Sequence, residues 1–133
     1  MKHLILFFIL CSCTSIQEKI DNKKVSDITN FFYKECEKIK VSCSKVPIFI
    51  KDISKEHPND GAVCYHGKHI LIDIHQWRSY TSLKKEILLL HELGHCALNL
   101  PHGKYIMNPE LVDESFYYKN KNHLLDELFK SPN

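Results

Sequence analysis

The sequence predicts an α+β fold in a single small domain: an N-terminal helix, a small sheet, a central helix and a C-terminal helix. Three observations carry that prediction. At 133 residues the chain has enough material for one compact domain and too little for two. Short runs of β-branched and aromatic residues occupy its middle, between stretches whose apolar residues recur at helical spacing. Hydrophobic residues at 44% and charged residues at 26% are the proportions of an ordinary globular domain.

The first residues depart from that average. Met1-Lys2-His3 is a short basic start, residues 4–10 are an unbroken apolar run, and from Gln17 the chain turns polar. The run is far shorter than the roughly 20 residues that span a bilayer, and it has the pattern of an export signal. Leu10-Cys11-Ser12-Cys13 resembles a bacterial lipobox, in which a small residue precedes a cysteine that is lipidated and becomes the mature N-terminus. The resemblance implies a lipoprotein signal peptide over residues 1–12, a lipidated Cys13 with a polar tether over 13–24, and a domain over 25–133. It places the protein in the bacterial cell envelope, held to a membrane by lipid, or secreted.

The elements then follow in order. Ser26 or Asp27 can cap a helix running to about Lys40, with Phe31, Phe32 and Ile39 facing a core. Residues 46–53 (VPIFIKDI) have the short, β-branched and aromatic character of a strand. His57 to Gly61 (HPNDG) is a loop by its turn chemistry. Residues 62–66 and 69–73 form a hairpin around Gly67-Lys68, where Gly67 supplies the positive φ of a tight turn. The stretch HQWRSYTS connects it to a helix over residues 82–98. A terminal helix covers residues 112–130, where apolar and charged residues alternate at helical spacing.

Charge and cysteines narrow the function classes. A formal charge of +2, with basic residues scattered among acidic ones, argues against a nucleic-acid partner; a monomer is expected. Outside the leader stand Cys36, Cys43, Cys64 and Cys96. In an oxidising compartment four cysteines make two disulfides with three connectivities. Cys36 with Cys43 is the easiest local pairing, leaving Cys64 for Cys96. The chain has no Cys-x-x-Cys pair, which argues against a structural zinc cluster.

The chemistry concentrates in LLLHELGHCALNLPHGKYIMNP, residues 88–109. On a helix, His91 and His95 lie one turn apart on one side and can chelate one ion. Glu92 is turned roughly 100° away, where it reaches a ligand of the ion rather than the ion itself. Ile87, Leu88, Leu89, Leu90, Leu93, Ala97 and Leu98 cover almost every side of this helix, the pattern of a buried one. Burying two imidazoles and a carboxylate without partners costs roughly 1–3 kcal/mol per group. A divalent cation satisfies all three at once. A catalytic zinc site has three protein ligands and an open fourth position, and the candidate third ligand is His102. Asn99 suits the left-handed turn that ends the helix. Pro101 forbids helical continuation, and Gly103 is expected to free the backbone beyond the ligand.

In these residues the sequence resembles the metzincin zinc peptidases, with His91, Glu92 and His95 in place and Met107 in YIMNP similar to the methionine of the family's turn. It also resembles a group of small bacterial metzincin-like proteins that have His-Glu-Leu-Gly-His-Cys and a similarly late histidine. The match runs from about Leu83 to Pro109. Two departures share one cause: the family's turn glycine falls at Leu98 and its third histidine at Pro101, whereas this chain turns at Asn99 and offers His102. The resemblance implies a minimal zincin-like domain with a mixed sheet, one catalytic Zn2+, Met107 beneath the metal and a peptide or protein substrate. Glu92 becomes the general base, and the hairpin strand an edge for an extended peptide.

Other readings compete. In a thermolysin-like site Glu114, or more weakly Glu110, replaces His102 as third ligand. Some bacterial ribonucleases carry three zinc-binding histidines on a related helix and turn but lack the glutamate, so Glu92 argues against them. A catalytically inactive zinc-binding lipoprotein with an interaction role is the third. Of the remaining residues, His3 belongs to the leader, and His57 and His123 sit in polar, exposed surroundings. His66, His69 and His75 lie around the hairpin, away from the ligand set. Trp77 reads as core, Cys96 points away from His95, and Tyr105 is within chain reach of the site.

Overall fold

The computed structural model describes the backbone of residues 2–130 and the side chains of residues 16–130. Helix α1 (Lys2–Ile39) leads into strand β1 (Ile48–Lys51), then the hairpin of β2 (Ala62–Tyr65) and β3 (His69–Asp73). A short helix α2 (Ile74–Ser79), the central helix α3 (Ser82–Leu98), a single 3-10 turn (Tyr105–Met107) and helix α4 (Glu114–Lys130) complete the chain. The α+β architecture with a small mixed sheet is as the sequence predicts.

The strands lie in the order β1-β3-β2. β1 runs parallel to β3, with Phe49 opposite Leu71, and β2 runs antiparallel to it, with Cys64 opposite Ile70. Alternation along β3 buries Ile70 and Ile72 in the core and leaves Leu71 half-buried. The hairpin turns one residue earlier than its glycine suggests. His66 and Gly67 take φ of 52° and 69°, and Lys68 N–H donates to the Tyr65 carbonyl at 3.0 Å. Two consecutive positive φ values match the right-handed twist of a hairpin, so a histidine occupies a left-handed position beside the glycine.

Three further differences concern helices. Residues 14–24, expected as a tether, are helical and continuous with α1. Asp21 there is buried, and its Oδ2 accepts from Arg78 Nε of α2 at 2.9 Å. A contact between residues 57 apart leaves no local signature. The side chain of Cys13, the expected lipidation site, lies outside the described residues. On the core side of α1 stand Ile28, Phe32 and Cys36, while Phe31 is only half-buried and Ile39 is 41% exposed, because the buried stripe passes through 28, 32 and 36. The connection HQWRSYTS contains α2, which starts because the Asp73 carboxylate accepts from Gln76 N–H at 2.8 Å. Trp77 of α2 is fully buried in the core, as read from the sequence.

The core gathers around α3, whose residues 87–94 are all buried. α4 closes one side with Tyr117, Leu124, Leu128 and Phe129, and the Phe129 ring meets that of Phe32 at 5.2 Å. Two disulfides join Cys36 to Cys43 and Cys64 to Cys96. The first closes a local turn after α1, and the second ties β2 to α3.

Candidate metal centre

α3 begins where Thr81 Oγ1 accepts from Lys84 N–H at 3.1 Å and ends where Asn99 takes φ 56°. The N–H groups of Asn99 and Leu100 both return to the Gly94 carbonyl, folding the chain back along the helix. That reversal brings His102 to His91 and His95, with ring centroids 5.4 and 4.7 Å away. One ligand nitrogen from each of the three histidines lies within 4.8 Å of the others, and this set can hold a metal ion. His91 is buried, His95 half-buried and His102 exposed, so the set opens toward solvent on one side. Gly103 does not take a positive φ, and a Cβ there would meet nothing within 4 Å, so the chain bends without needing its freedom. Tyr105 instead carries the left-handed conformation of this loop, at φ 57°.

The chemistry of the donors fits a cation. His91 Nδ1 faces the Ile106 carbonyl at 2.6 Å, and His95 Nδ1 faces the Leu100 carbonyl at 2.7 Å. A carbonyl only accepts, so each Nδ1 carries the hydrogen and each Nε2 keeps its lone pair. The two Nε2 atoms are 3.1 Å apart. Two lone pairs at that distance repel unless a positive centre lies beside both. Protonating a ring is disfavoured: burial above all, then the neighbouring His95 and His102, holds His91 down to about 4, against the opposing Ile106 bond. Burial lowers His95 as well. Such backbone acceptors also fix ring orientation and raise ligand basicity.

Glu92 is buried beside this group, and its Oε2 accepts from Cys64 N–H of β2 at 2.7 Å. Burial pushes its carboxyl up to about 7; the Cys64 bond opposes this, and the Asp60 charge adds to it. In the metal-free protein these shifts act on stability in opposite senses. His91 binds protons more weakly folded than unfolded, so it adds stability as pH rises from about 4 to 6.5. Glu92 binds them more tightly folded, so it removes stability as pH rises from about 4.5 to 7. Metal-free Glu92→Gln protein is therefore expected to gain stability more steeply between pH 4.5 and 6.5 than the natural sequence. The difference is on the order of 2 kcal/mol at about 1.4 kcal/mol per pH unit, read from urea midpoints; parallel profiles would refute it.

Met107 packs beneath the helix at Gly94. A Cβ on Gly94 would stand 2.3 Å from Met107 Sδ and 3.3 Å from Leu128 Cδ1. Gly94→Ala is expected to lower stability by about 1–3 kcal/mol through overpacking, despite alanine's better helix propensity. An unchanged melting temperature would mean that the thioether moves aside freely.

A cleft of about 1120 Å³ lies over the site. Val63 and Cys64 of β2, His91, Glu92, His95 and His102 line it, with Pro109, Leu111 and Val112 also contributing. Glu114 borders the same cleft but is engaged by the Thr81 hydroxyl, and neither it nor Glu110 belongs to the histidine group. His66 also lines the cleft, whereas His57 and His75 pair with Asp60 and Asp52 at 3.4 Å. His69 stacks on Tyr65 at 5.2 Å, and exposed His123 meets Tyr105 at 5.5 Å. Tyr105 does not line the cleft. What sequence reasoning missed are main-chain atoms: the Ile106 and Leu100 carbonyls and the Cys64 N–H. Only the cysteine pair, with Cys96 next to His95, signalled that β2 reaches the helix.

No protein-family model, curated protein or solved structure matches the chain.

Proposed function

We propose that this protein is a zinc-dependent peptidase of metzincin-like character. The observation that carries the proposal is the convergence of His91, His95 and His102 beside a buried Glu92 at the base of an open cleft. An all-imidazole set with room for a further ligand suits catalytic zinc. When bound there, zinc lowers the pKa of a water toward about 7 and polarises a substrate carbonyl. His91 and His95 supply Nε2, with Nδ1 anchored on main-chain carbonyls. Glu92 takes the proton of the attacking water and passes it to the departing amine. β2 is an edge strand that lines the cleft, where an extended peptide can add to it.

Purified protein is expected to contain about one zinc per chain by the three-ligand rule. It should cleave members of a mixed peptide library, lose that activity to a chelator and regain it with zinc. Zinc-loaded protein that cleaves nothing would refute the peptidase and leave a metal-binding protein. Two disulfides support a domain that works outside the reducing cytoplasm. Radiolabelled fatty acid is expected to enter the natural chain and not Cys13→Ala; equal labelling of both would refute the lipid anchor.

A further inference from the structure

We propose that Cys64 is a positioning residue for Glu92, and that the Cys64–Cys96 disulfide is required for turnover rather than only for stability. This rests on the peptidase proposal for its kinetic arm. The geometry that points to it is a double attachment. Glu92 and Cys96 are four residues apart on α3, so they stand on one side of the helix a turn from each other. Both are joined to the same residue of β2: Glu92 Oε2 accepts from the Cys64 main-chain N–H at 2.7 Å, and Cys96 Sγ is bonded to Cys64 Sγ.

The direction of the Cys64 N–H is fixed by the sheet. Opposite it in the antiparallel pair stands Ile70, whose own N–H donates away from β2, to the Pro47 carbonyl at 3.0 Å. The two residues are therefore a non-hydrogen-bonded pair, and Cys64 N–H points out from the sheet edge. Nothing in the ladder uses it. Glu92 is its acceptor. The bond engages one carboxylate oxygen and restrains a side chain that also lines the cleft.

An edge strand is held by pairing on one side only, and β2 is four residues long. The disulfide removes that freedom where it matters, next to His95 and one turn from Glu92. Cys36–Cys43 offers an internal control, because it joins the end of α1 to the turn that follows and neither residue lines the cleft. The chain thus has one bridge that touches the catalytic apparatus and one that does not.

The test compares zinc-loaded Cys64→Ser/Cys96→Ser with Cys36→Ser/Cys43→Ser in peptide hydrolysis. The first is expected to lose about tenfold to a hundredfold in kcat, the scale of a misplaced catalytic group, with KM and zinc content unchanged. The second is expected to keep its kcat. In a Glu92→Gln background, removing Cys64–Cys96 should have no further effect on kcat, since the bridge acts through that side chain. A folded, zinc-loaded Cys64→Ser/Cys96→Ser protein with natural kcat would overturn the proposal. If that variant does not fold, hydrogen exchange decides. The Cys64 amide should exchange at least about tenfold faster in Glu92→Ala than in the natural protein, as expected when a protecting bond is lost. Unchanged exchange would overturn the proposal as well. Should the natural protein cleave no peptide, the peptidase proposal fails, while the exchange result still decides whether Cys64 holds Glu92.

Discussion

Replacing Glu92 with glutamine is expected to cut turnover by about two to four orders of magnitude and leave the metal in place. A positioned general base is typically worth about 10²–10⁴-fold, and an amide cannot take the water's proton. The substitution is otherwise mild. Glutamine has the same shape, and its oxygen can still accept from Cys64 N–H, now made to the carboxylate at 2.7 Å. It also replaces a buried acid whose ionisation burial opposes. Neither folding nor the three imidazoles should suffer, so zinc content should match the natural protein and the melting temperature should not fall, while kcat falls by the stated factor. Peptide hydrolysis at the natural rate by zinc-loaded Glu92→Gln would remove Glu92 from the mechanism.

His102→Ala is expected to break the metal site without touching the fold. His91 and His95 sit on one helix and are oriented by the Ile106 and Leu100 carbonyls, so two ligands remain. Losing an outer-shell partner alone costs about 10–100-fold in metal affinity, and losing a direct ligand should exceed that. His102 is exposed and lies outside the buried core, so the metal-free variant should melt where the natural metal-free protein does. The difference appears on adding zinc. A ligand at about 1,000 times its Kd stabilises by about 4 kcal/mol, a gain the natural protein should show and the variant should largely lack. Competition with a chromophoric chelator gives the affinities directly. Glu114→Ala, in the same assay, should bind zinc like the natural protein, because Glu114 is committed to Thr81. The reverse pattern would install Glu114 as the third ligand.

Much of this site was readable because its signals are local. The all-round apolar helix, the αL residue Asn99 and the proline that stops the helix are signals of this kind, and together they return His102 to the helix. Of the three disulfide connectivities that the sequence leaves open, the structure has the one in which the local Cys36–Cys43 pair leaves Cys64 for Cys96. What escaped depends on distant partners or on the main chain. The helicity of residues 14–24 is accompanied by the Asp21–Arg78 pair, and no apolar period announces it. The carbonyls that orient His91 and His95 look the same in every sequence. The hairpin turns at His66-Gly67, so one of its two positive φ values falls on a histidine, which no glycine announces.

The excursion after α3 does more than carry one ligand. Residues 99–107 deliver the third imidazole, and the acceptors that steer the other two, at Leu100 and Ile106, belong to the same stretch. Gly103 N–H donates to the Met107 carbonyl at 2.8 Å, closing that stretch on itself. Unlatching it would strip the cation of a ligand and leave the remaining two rings free to swivel in a single event. Release of an ion held there would then follow the opening of one short segment, because all three imidazoles depend on it.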